Sequence, residues 1–378
     1  MGTTCDVLVV GGGITGSATA YRLAQAGVDV VLVERHDLNT QGSGYNAGSL
    51  HAQLQHEPFL ELGEDWARAY APATAFLAES AALWQTLGDE LGSDLEAATL
   101  GGVLVAATQA QLRDVERKVR IEREQGLDVE LLDASDLQRI APYISERMVG
   151  GELCRCEGKA NPLLAGPALA RAARQHGARL LLHTELRSLE RDERGFRATT
   201  SAGVIEARRV VSCGGIDAGR VTQMLGVPLP VKGYAIQVSV TEPVAQLVDH
   251  LVYFAGDMLT LKQARVGSLL IGGGWPARVS ADGSPTVNPA SLRANLALAQ
   301  MVVPALAQVR LLRAWAGFVN GVDDWLPIIG EIERVPGLFV GVFPYMGFTA
   351  GPLLGRVLAD VVLGRSERDL EPFSPTRF

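Results

Sequence analysis

The hydrophobic pattern is clearest at the start of the chain. Residues 7–10 form an apolar run, a glycine-rich stretch follows at residues 11–16, and an alanine-rich segment ends at Gly27. A second apolar run then ends at Glu34. An apolar β-branched run predicts a buried parallel strand, and the alanine-rich segment predicts a helix. The pattern therefore indicates a strand, a tight turn, a helix and a second strand.

The glycines of this turn indicate a nucleotide site. Gly11, Gly13 and Gly16 occupy the G-x-G-x-x-G positions, where missing side chains allow a tight turn and close approach of the backbone to a pyrophosphate. The helix N-terminus offers N–H groups and a partial positive charge to the phosphates. Glu34 lies where a carboxylate can accept both ribose hydroxyls of an adenosine. A turn that binds nothing is the alternative, but it leaves Glu34 unexplained, so we predict an ADP-containing dinucleotide site.

Further along the chain, the pattern predicts a mixture of helices and short strands. Residues 59–91 predict one helix with an apolar face, and residues 251–261 predict one strand. Gly351 and Pro352 are predicted to open the terminal helix. A buried strand that ends at Cys213 before a glycine pair lets a second backbone segment approach the dinucleotide. One nucleotide held by two distant turns implies that the first domain is interrupted in sequence.

The stretch that follows Glu34 is unusually polar. Residues 35–51 are dense in glycine, serine and asparagine, and such a loop exposes many backbone N–H groups. This composition is expected where a loop lies along a polar ligand. A mobile surface loop is the alternative interpretation.

Composition narrows the class of protein. The chain has 378 residues, of which 47% are hydrophobic and 20% charged, so it predicts a globular protein with two domains or one large insertion. The net charge of −8 and the lack of a basic run argue against a nucleic-acid partner. No basic segment precedes the first apolar run, and no stretch approaches the roughly 20 apolar residues of a membrane span. We therefore expect a cytoplasmic, reducing location.

The four cysteines divide into two groups. Cys5 and Cys213 adjoin predicted buried strands and are expected to be apolar core residues. Cys154 and Cys156 are close enough to form half of a metal or iron–sulfur site, but no second pair or nearby histidine completes four ligands. The alternative is that they point to opposite faces of a strand. We predict no metal site.

Five blocks of the sequence, taken together, resemble one known superfamily. The chain is similar to the FAD-dependent D-amino-acid oxidase, glycine oxidase and sarcosine oxidase superfamily over essentially its whole length. The resemblance implies an α/β fold, with a Rossmann-like FAD-binding domain of the glutathione-reductase type and a second α+β domain on a mixed, largely antiparallel sheet. The blocks are the N-terminal fingerprint, Gly42–Gly48, Cys213-Gly-Gly, Trp315-Ala-Gly317 with Asp323 and Pro327-Ile-Ile-Gly330, and Gly337-Leu-Phe-Val with Gly347 and Pro352.

The resemblance also implies how the two domains alternate along the chain. The FAD-binding domain is expected to be built from both chain ends and one central segment, with the substrate domain inserted between them. The expected segments are 1–80, 151–217 and 313–378 for the FAD-binding domain, and 81–150 and 218–312 for the substrate domain.

Within the superfamily, the chain is most similar to the flavin (beta) subunits of heteromeric hydroxyproline, proline and opine dehydrogenases. The resemblance implies hydride transfer from the carbon next to the amine of an amino or imino acid to flavin N5, which leaves an imine. In those assemblies separate subunits carry the electrons onward, some through iron–sulfur clusters. Partner subunits of that kind are therefore expected, as is peripheral association with a membrane through an electron acceptor.

The residues expected to bind FAD follow from the same resemblance. Relatives with covalent flavin use a cysteine after the Trp-x-Gly strand or a histidine in the early loop, where this chain has Phe318 and Val319, and Tyr45 and Asn46. We therefore expect non-covalent FAD. The expected binding residues are Gly11, Gly13, Ile14, Thr15, Gly16, Glu34, Arg35, Ser43, Asn46, Ala47, Gly48, Ser49, Leu50, Leu186, Cys213, Gly214, Gly317, Met346, Gly347, Phe348 and Thr349.

Two departures from the superfamily concern the substrate. Sarcosine-oxidase-like enzymes place a lysine over the flavin to speed reaction with oxygen, but the matching strand 268–272 is apolar, which favours a dehydrogenase. Glycine-oxidase-like members clamp the substrate carboxylate with arginines, and this chain has Val319 and Tyr345 with Met346 at those places. The residues that we expect to replace them are His51, which is also a candidate base, Tyr253, Lys262, Arg265 and Met346.

Three alternatives to this prediction remain open. A stand-alone FAD oxidase of glycine, sarcosine or D-amino acids would produce hydrogen peroxide, and a non-catalytic FAD-binding subunit would only assemble with partners. An NAD-only dehydrogenase leaves the C-terminal glycine block without a role. Each substrate-site candidate could also be structural or exposed to solvent, because lysine and arginine side chains usually are.

Overall fold

The computed structural model describes residues 3–378. In chain order the strands are β1 (Thr3–Val10), β2 (Val30–Val33), β3 (Ser49–Leu50), β4 (Ala98–Thr99), β5 (Gly102–Ala106), β6 (Val129–Asp133), β7 (Gly150–Cys154), β8 (Gly158–Lys159), β9 (Arg179–Leu181), β10 (Leu186–Asp192), β11 (Gly195–Thr200), β12 (Gly203–Ser212), β13 (Lys232–Pro243), β14 (Leu251–Phe254), β15 (Thr260–Gln263), β16 (Ser268–Gly272), β17 (Arg278–Val279), β18 (Pro285–Thr286), β19 (Leu311–Gly321), β20 (Ile328–Glu331) and β21 (Leu338–Val342). The helices are α1 (Ile14–Gln25), α2 (Gly42–Tyr45), α3 (His56–Ala69), α4 (Ala71–Glu90), α5 (Gln109–Glu124), α6 (Ala134–Ile140), α7 (Pro162–Gln175), α8 (Ala218–Gln223), α9 (Pro289–Val302) and α10 (Gly347–Val362).

The first sheet is built around β1. Its strand order is β10-β11-β12-β1-β2-β9, and β21 pairs with the C-terminal part of β12 while β20 pairs with β21. The pairs of β1 with β2 and β12, of β2 with β9, and of β12 with β21 are parallel. Side chains 7–10 and 30–33 are buried, as a parallel strand covered on both faces requires. The predicted strand, turn, helix and strand unit is therefore confirmed.

The second sheet is mixed but mostly antiparallel. Its order is β19-β13-β16-β15-β14-β5-β7-β6, and only the pair of β14 and β5 is parallel. The long strands β13 and β19 pair from Lys232 to Thr241 and form one edge. The expected α/β class, with a Rossmann-like sheet and a second, largely antiparallel sheet, is confirmed.

Small residues let α1 pack closely between its neighbours. α1 contacts α10 on one side and α7 on the other. A Cβ at Gly355 of α10 would overlap Ala18, and a Cβ at Gly351 would lie 2.5 Å from Ile14. Glycine at these two positions brings the N-terminal end of α10 close to the N-terminal end of α1.

Three predicted elements were wrong in their limits. Residues 59–91 form parts of two helices, α3 and α4, and α3 itself is kinked at Gly63, where φ is +81°. Residues 251–261 contain β14 and the start of β15, which pair with each other as a hairpin. The terminal helix begins at Gly347, so Pro352 lies inside it rather than at its start. A continuous apolar pattern does not show where the chain turns.

The sheets also divide the chain differently from the expected segments at two places. β7, expected in the FAD-binding domain from residue 151 onward, pairs with β5 and β6 in the second sheet. β19, expected in the same domain from residue 313 onward, pairs with β13 in the second sheet. The other segment limits stay a prediction. No helix among residues 3–378 is long and apolar enough to span a bilayer.

Candidate active site

A large cavity lies between the two sheets and is the natural place for a ligand. Its volume is about 570 Å³, within the range of roughly 300–1,000 Å³ that is common for small-molecule sites. We call the part lined by Gly11, Gly13 and Glu34 the nucleotide end, and the part lined by His51, Tyr253 and Tyr345 the His51 end.

The nucleotide end is formed mainly by backbone. Gly11 has a φ of +107°, and a Cβ there would lie 2.5 Å from the carbonyl oxygen of Cys213, at the end of β12. α1 begins after Gly13, which has no side chain to cap it, and the N–H of Ile14 donates to the Ser43 hydroxyl at 2.9 Å. A helix N-terminus that faces a cavity binds anions well, because its first N–H groups lack partners within the helix. The donors and the close backbone approach fit the pyrophosphate of a dinucleotide.

The carboxylate of Glu34 is held firmly at the same end. Its Oε2 accepts a hydrogen bond from the N–H of Gly12 at 2.7 Å, and its Oε1 accepts one from the N–H of His36 at 2.8 Å. These bonds fix the carboxylate beside the glycine turn. A carboxylate in this place fits the ribose hydroxyls of an adenosine.

The cavity contains two arginines, and both are paired. Arg35 contacts Asp217 at 2.6 Å, and Arg220 lies 3.5 Å from the same carboxylate. They line the cavity together with Leu186. Neither arginine is therefore free to bind a carboxylate at the His51 end.

The polar loop after β2 is folded rather than loose. Asn46 donates to the carbonyl oxygens of Gly42 and Ser43, and its Oδ1 accepts from the N–H of Gly48 at 2.8 Å. The indole N–H of Trp315 donates to the carbonyl oxygen of Tyr45. These bonds hold the loop along the cavity, as expected for a loop that lies against a ligand.

Thr349, which lines the cavity, joins three parts of the chain. Its Oγ1 accepts from the N–H of His51 at 3.0 Å and donates to the carbonyl oxygen of Ser49 at 3.2 Å. Its carbonyl oxygen accepts from Ser80 at 2.6 Å and from the indole of Trp84 at 2.9 Å. The start of α10 is thus fixed against β3 and α4. The sequence pattern gave no signal for Ser80 or Trp84, because both lie within an ordinary apolar helix.

His51 and Tyr253 form a hydrogen-bonded pair at the His51 end of the cavity. The Nδ1 of His51 lies 2.7 Å from the Tyr253 hydroxyl. Burial, followed by the nearby charge of Lys262, lowers the pKa of His51 to about 3. His51 is therefore neutral at pH 7 and can accept or donate a hydrogen bond, but it does not retain a second proton.

Lys262 is close to Ser49 but does not line the cavity. Its side chain is buried, and its Nζ donates to the Ser49 hydroxyl at 2.7 Å. Burial, and then repulsion from Lys159, lowers the pKa of Lys262 to about 7. Lys262 pairs across strands with Leu270, so an amine lies one strand away from the apolar strand 268–272. The apolar character of that strand is therefore weaker evidence against an oxidase than the sequence indicated.

Arg265 is placed away from the cavity. Its side chain is exposed and forms an ion pair with Asp94. Arg265 therefore drops from the candidates for binding substrate. Met346, by contrast, is buried, precedes the first residue of α10 and lines the cavity.

Two acidic residues at the His51 end gave no signal in the sequence. Glu57, at the start of α3, and Asp257, after β14, both line the cavity. Burial, followed by repulsion from Asp257 and Glu61, raises the pKa of Glu57 to about 7. Trp325 and Tyr345 also line the cavity and stack with ring centroids 3.8 Å apart. Nothing in the pattern distinguished these side chains from surface acids and core aromatics.

Most of the residues predicted to bind FAD or substrate line the cavity. Of the expected FAD-binding residues, only Gly16 and Leu50 do not line it. Gly16 packs instead against Gly11. Of the substrate-site candidates, His51, Tyr253 and Met346 line the cavity, and Lys262 and Arg265 do not.

The cysteine pair differs from the expected arrangement. The Sγ atoms of Cys154 and Cys156 lie 3.6 Å apart, so the expectation that they point to opposite faces of a strand is wrong. β7 ends at Cys154, and the chain turns before Cys156. Across residues 3–378, no group of three or more possible metal ligands comes together.

Known proteins with similar sequence and structure share this architecture. A family model described as "FAD dependent oxidoreductase" matches residues 6–361. Glycine oxidase of Geobacillus kaustophilus is 29% identical, with 98% of this chain and 97% of that protein covered. Its crystal structure has a TM-score of 0.83 at 27% identity, covering 100% of this chain and 99% of that one.

Two further proteins are similar over nearly their whole length. The B subunit of opine oxidase from Rhizobium meliloti is 28% identical, with 99% of this chain and 97% of that protein covered. L-proline dehydrogenase of P. horikoshii has a TM-score of 0.87 and 22% identity, covering 100% of this chain and 98% of that one. At that identity the second match shows the fold alone.

Proposed function

The chain belongs to the FAD-dependent oxidoreductase family, and on that basis we propose that it oxidises an amino or imino acid at the carbon next to the amine nitrogen. One observation carries this proposal: a single cavity is lined at one end by Gly11, Gly13 and Glu34 and at the other by His51 and Tyr253. A dinucleotide anchored at the glycine turn fits a cavity that continues to a polar pocket. We propose that the FAD is held without a covalent bond.

FAD, when bound, supplies the hydride acceptor. The N–H groups at the start of α10, at Gly347 and Phe348, carry the positive end of a helix dipole and are suited to a negatively charged part of the cofactor. Ser49 and Thr349 fix the backbone beside that helix end. The N–H groups at the start of α10 therefore offset negative charge on the cofactor, and Ser49 and Thr349 hold the backbone in position. None of these residues reacts.

The His51 end orients the amine. Loss of hydride from a carbon is assisted by the lone pair of a neighbouring neutral amine, so the substrate must react without its ammonium proton. His51, which is neutral at pH 7, can accept a hydrogen bond from a substrate N–H and so fix the orientation of the C–H bond. Tyr253 holds the ring of His51 in place at 2.7 Å.

The substrates that we propose are D-hydroxyproline, proline or opine-like amino acids. The similarity to the B subunit of opine oxidase supports this class. Both arginines of the cavity are paired with Asp217 at the nucleotide end, so a carboxylate bound by an arginine clamp has no support here. An imino acid bound chiefly through its nitrogen fits the polar groups of His51 and Tyr253 better.

We propose that the electrons pass to a partner subunit or another acceptor. The B subunit of opine oxidase and the beta subunit of sarcosine oxidase from Rhizobium meliloti, the latter 26% identical, are named as parts of larger assemblies, which supports this part of the proposal. We also propose that these partners carry iron–sulfur clusters. We propose further that the protein is cytoplasmic and is attached peripherally to a membrane through the electron acceptor.

A second candidate function is that of a stand-alone oxidase that produces hydrogen peroxide. Two observations favour it: the similarity to glycine oxidase, and the buried amine of Lys262 next to Ser49. Oxygen consumption by the isolated chain with an oxidisable substrate separates the two candidates. Rapid consumption favours the oxidase, and slow consumption with rapid anaerobic reduction favours the dehydrogenase.

The proposed activity is tested by anaerobic mixing of the FAD-loaded chain with D- and L-proline, 4-hydroxyproline, sarcosine, glycine and opines. We expect the visible absorbance of oxidised flavin to disappear with at least one of them. If the flavin stays oxidised with the whole panel while dithionite reduces it, the proposed substrate class is wrong.

A further inference from the structure

Cys154 and Cys156 place two thiols in contact, and the proposed function gives neither of them a role. Their Sγ atoms lie 3.6 Å apart. The S–S bond of a disulfide is about 2.05 Å long, so the two sulfur atoms need to approach by only about 1.5 Å to form one. The pair is therefore one short movement away from a covalent link.

The two cysteines differ in how firmly they are held. Cys154 ends β7, is fully buried, and pairs with Gly102 of β5 on one side and Val129 of β6 on the other. Cys156 follows in a turn and is partly exposed. The hydrogen bond between the thiols, followed by burial, raises the pKa of Cys154. Cys156 is therefore the thiol that meets a reagent from solvent first, and the one that can move.

The residue after this turn holds the loop that follows His51. Glu157 is fully buried, and its Oε1 accepts hydrogen bonds from the N–H groups of Ala52 and Gln53 at 2.6 and 2.9 Å. Its Oε2 accepts one from the Nε2 of Gln53 at 2.8 Å. Lys118 donates to the Oε1 of Gln53 at 3.2 Å. The side chain of Gln53 is thus held from both sides.

The thiols also pack against the residues that support His51. Cys154 belongs to one apolar cluster with Ala52 and Tyr253, and Cys156 packs against that cluster. Ala52 follows His51 in the chain, and the Tyr253 hydroxyl lies 2.7 Å from the Nδ1 of His51. The thiol pair is therefore separated from the His51 end of the cavity by a single layer of side chains and backbone.

Formation of a disulfide would disturb the bonds to this loop. Cys156 would move toward the fixed Cys154, and Glu157, the next residue, would move with it. The side chain of Gln53 cannot follow freely, because Lys118 holds its other end. Oxidation would therefore stretch the hydrogen bonds between Glu157 and the loop. A displacement of about 1 Å in groups that orient a substrate is enough to lower a rate strongly.

We propose that Cys154 and Cys156 form a reversible disulfide, with a low-molecular-weight disulfide as the oxidant, and that its formation displaces the loop that carries His51. The Cys156 thiolate attacks one sulfur of the oxidant, forms a mixed disulfide and releases one small thiol. The Cys154 sulfur then attacks the Cys156 sulfur, which breaks the mixed disulfide and releases a second small thiol. The two cysteines lose two electrons and two protons, and the two released thiols carry them away.

The disulfide can be detected by mass spectrometry of the purified full chain, because trypsin cuts between the two cysteines, after Arg155. The protein is incubated with oxidised glutathione, the remaining thiols are blocked with N-ethylmaleimide under denaturing conditions, and the chain is digested. We expect peptides 148–155 and 156–159 to be joined, and to separate after treatment with dithiothreitol. Two separate blocked peptides, or glutathione on Cys156 alone, would overturn the proposal.

Two variants control this measurement. Cys156→Ser replaces one sulfur atom with oxygen in the partly exposed turn and should give no joined peptides. Cys5→Ala removes a buried cysteine from β1, in the first sheet, and should give the joined peptides as the wild type does. Loss of the joined peptides in Cys5→Ala would contradict the assignment of the disulfide to Cys154 and Cys156.

The displacement of the loop is measured by hydrogen exchange in a peptide that spans residues 51–53. The N–H groups of Ala52 and Gln53 should exchange about 10-fold faster in the oxidised chain than in the reduced chain, because this factor corresponds to the net worth of one hydrogen bond. In Cys156→Ser the oxidant should not change the exchange. Equal exchange in the oxidised and reduced wild type would contradict the displacement.

The catalytic consequence rests on the proposed function, whereas the disulfide and the hydrogen exchange do not. We expect kcat/KM for an amine substrate to fall about 10-fold on oxidation and to recover with dithiothreitol, while FAD content is unchanged. An unchanged kcat/KM in the oxidised chain would contradict the displacement of His51. A chain that forms the disulfide but oxidises no amine would disprove the proposed function alone. An active chain that forms no disulfide would disprove this inference alone.

Discussion

The two ends of the cavity are built in different ways. The nucleotide end depends on backbone atoms and on missing side chains, at Gly11 and Gly13, and its one essential carboxylate follows within the same β-α-β unit. The His51 end depends on side chains that come from distant parts of the chain, such as His51 and Tyr253, 202 residues apart. A site formed by local backbone can be recognised as a motif in the sequence. A site formed by contacts between side chains that are distant in the sequence cannot.

The largest expected effect breaks the nucleotide end. A Cβ in Gly11→Ala would lie 2.5 Å from the carbonyl oxygen of Cys213, and φ at Gly11 is +107°. We expect the purified variant to retain no measurable FAD, because the turn must open to relieve the contact. The ratio of flavin to protein absorbance measures this directly.

A matched control for that substitution lies at the other end of α1. Gly27 also has a positive φ, +82°, but a Cβ there would meet no atom within 4 Å. Gly27→Ala should cost roughly 1 kcal/mol of stability and leave the FAD content intact. If both variants lose FAD equally, helix α1 is simply unstable and the close contact at Gly11 is not the cause.

The next effect concerns the buried charge behind the His51 end. The pKa of Lys262 is about 7 in the folded chain and near its ordinary value of 10.5 in the unfolded chain. Between these values the unfolded state binds more protons, so the stability of the wild type rises with pH through this window. Lys262→Met lacks this dependence. From pH 7 to pH 10 we expect the free energy of unfolding of the wild type to rise by about 3 kcal/mol relative to that of the variant, as measured by denaturant unfolding.

Lys159 provides the comparison for Lys262. Lys159 is half-buried, and burial lowers its pKa as well, but its Nζ donates to the carbonyl oxygen of Gln263. Lys159→Met should therefore show a smaller change with pH. A flat difference between the wild type and Lys262→Met from pH 7 to pH 10 would mean that Lys262 keeps an ordinary pKa.

The junction between the two ends should show an intermediate effect. Thr349→Val keeps the shape of the side chain but leaves the N–H of His51 and the carbonyl oxygen of Ser49 without their partner. We expect a loss of about 2 kcal/mol in the free energy of unfolding, because buried unpaired polar groups are costly. Thr349→Ser, which keeps the hydroxyl, should recover most of it. A loss in Thr349→Ser as large as that in Thr349→Val would contradict this explanation, because serine keeps the hydroxyl.

The smallest expected effect concerns the charge of Glu57 at the His51 end. The pKa of Glu57 is about 7, so its negative charge forms as the pH rises through neutrality. That charge attracts a protonated amine, and KM should fall about two- to threefold between pH 6 and pH 8 through this interaction. Glu57→Gln should remove this part of the pH dependence. Asp65→Asn, an exposed acid on the same helix, should leave the pH dependence of KM unchanged.

The sequence predicted the parts of the fold that local pattern determines. β1, α1 and β2 were predicted correctly because apolar runs, glycines and Glu34 lie within one short unit. The division of residues 59–91 was missed because the apolar pattern continues while Gly63 turns the backbone. Strands β7 and β19 pair within the second sheet, although the segments expected for the FAD-binding domain begin at residues 151 and 313, because strand pairing depends on distant partners that a single segment does not show.

The same reasoning explains what was found and missed at the site. His51 and Tyr253 were chosen from their chemistry, and the structure brings them together at the cavity. Glu157 and Lys118 gave no signal, because an isolated glutamate or lysine in a sequence is usually a surface residue. Only the three-dimensional contacts show that both are buried and linked to the loop that carries His51.

The central claim is that the glycine turn and Glu34 anchor an adenine dinucleotide whose other half reaches His51. It is tested most directly by acid release of cofactor from the purified full chain, followed by identification and quantification of the released compound. The account predicts FAD, freed completely without proteolysis, at about one molecule per chain. A colourless chain that takes up no FAD on reconstitution would contradict it.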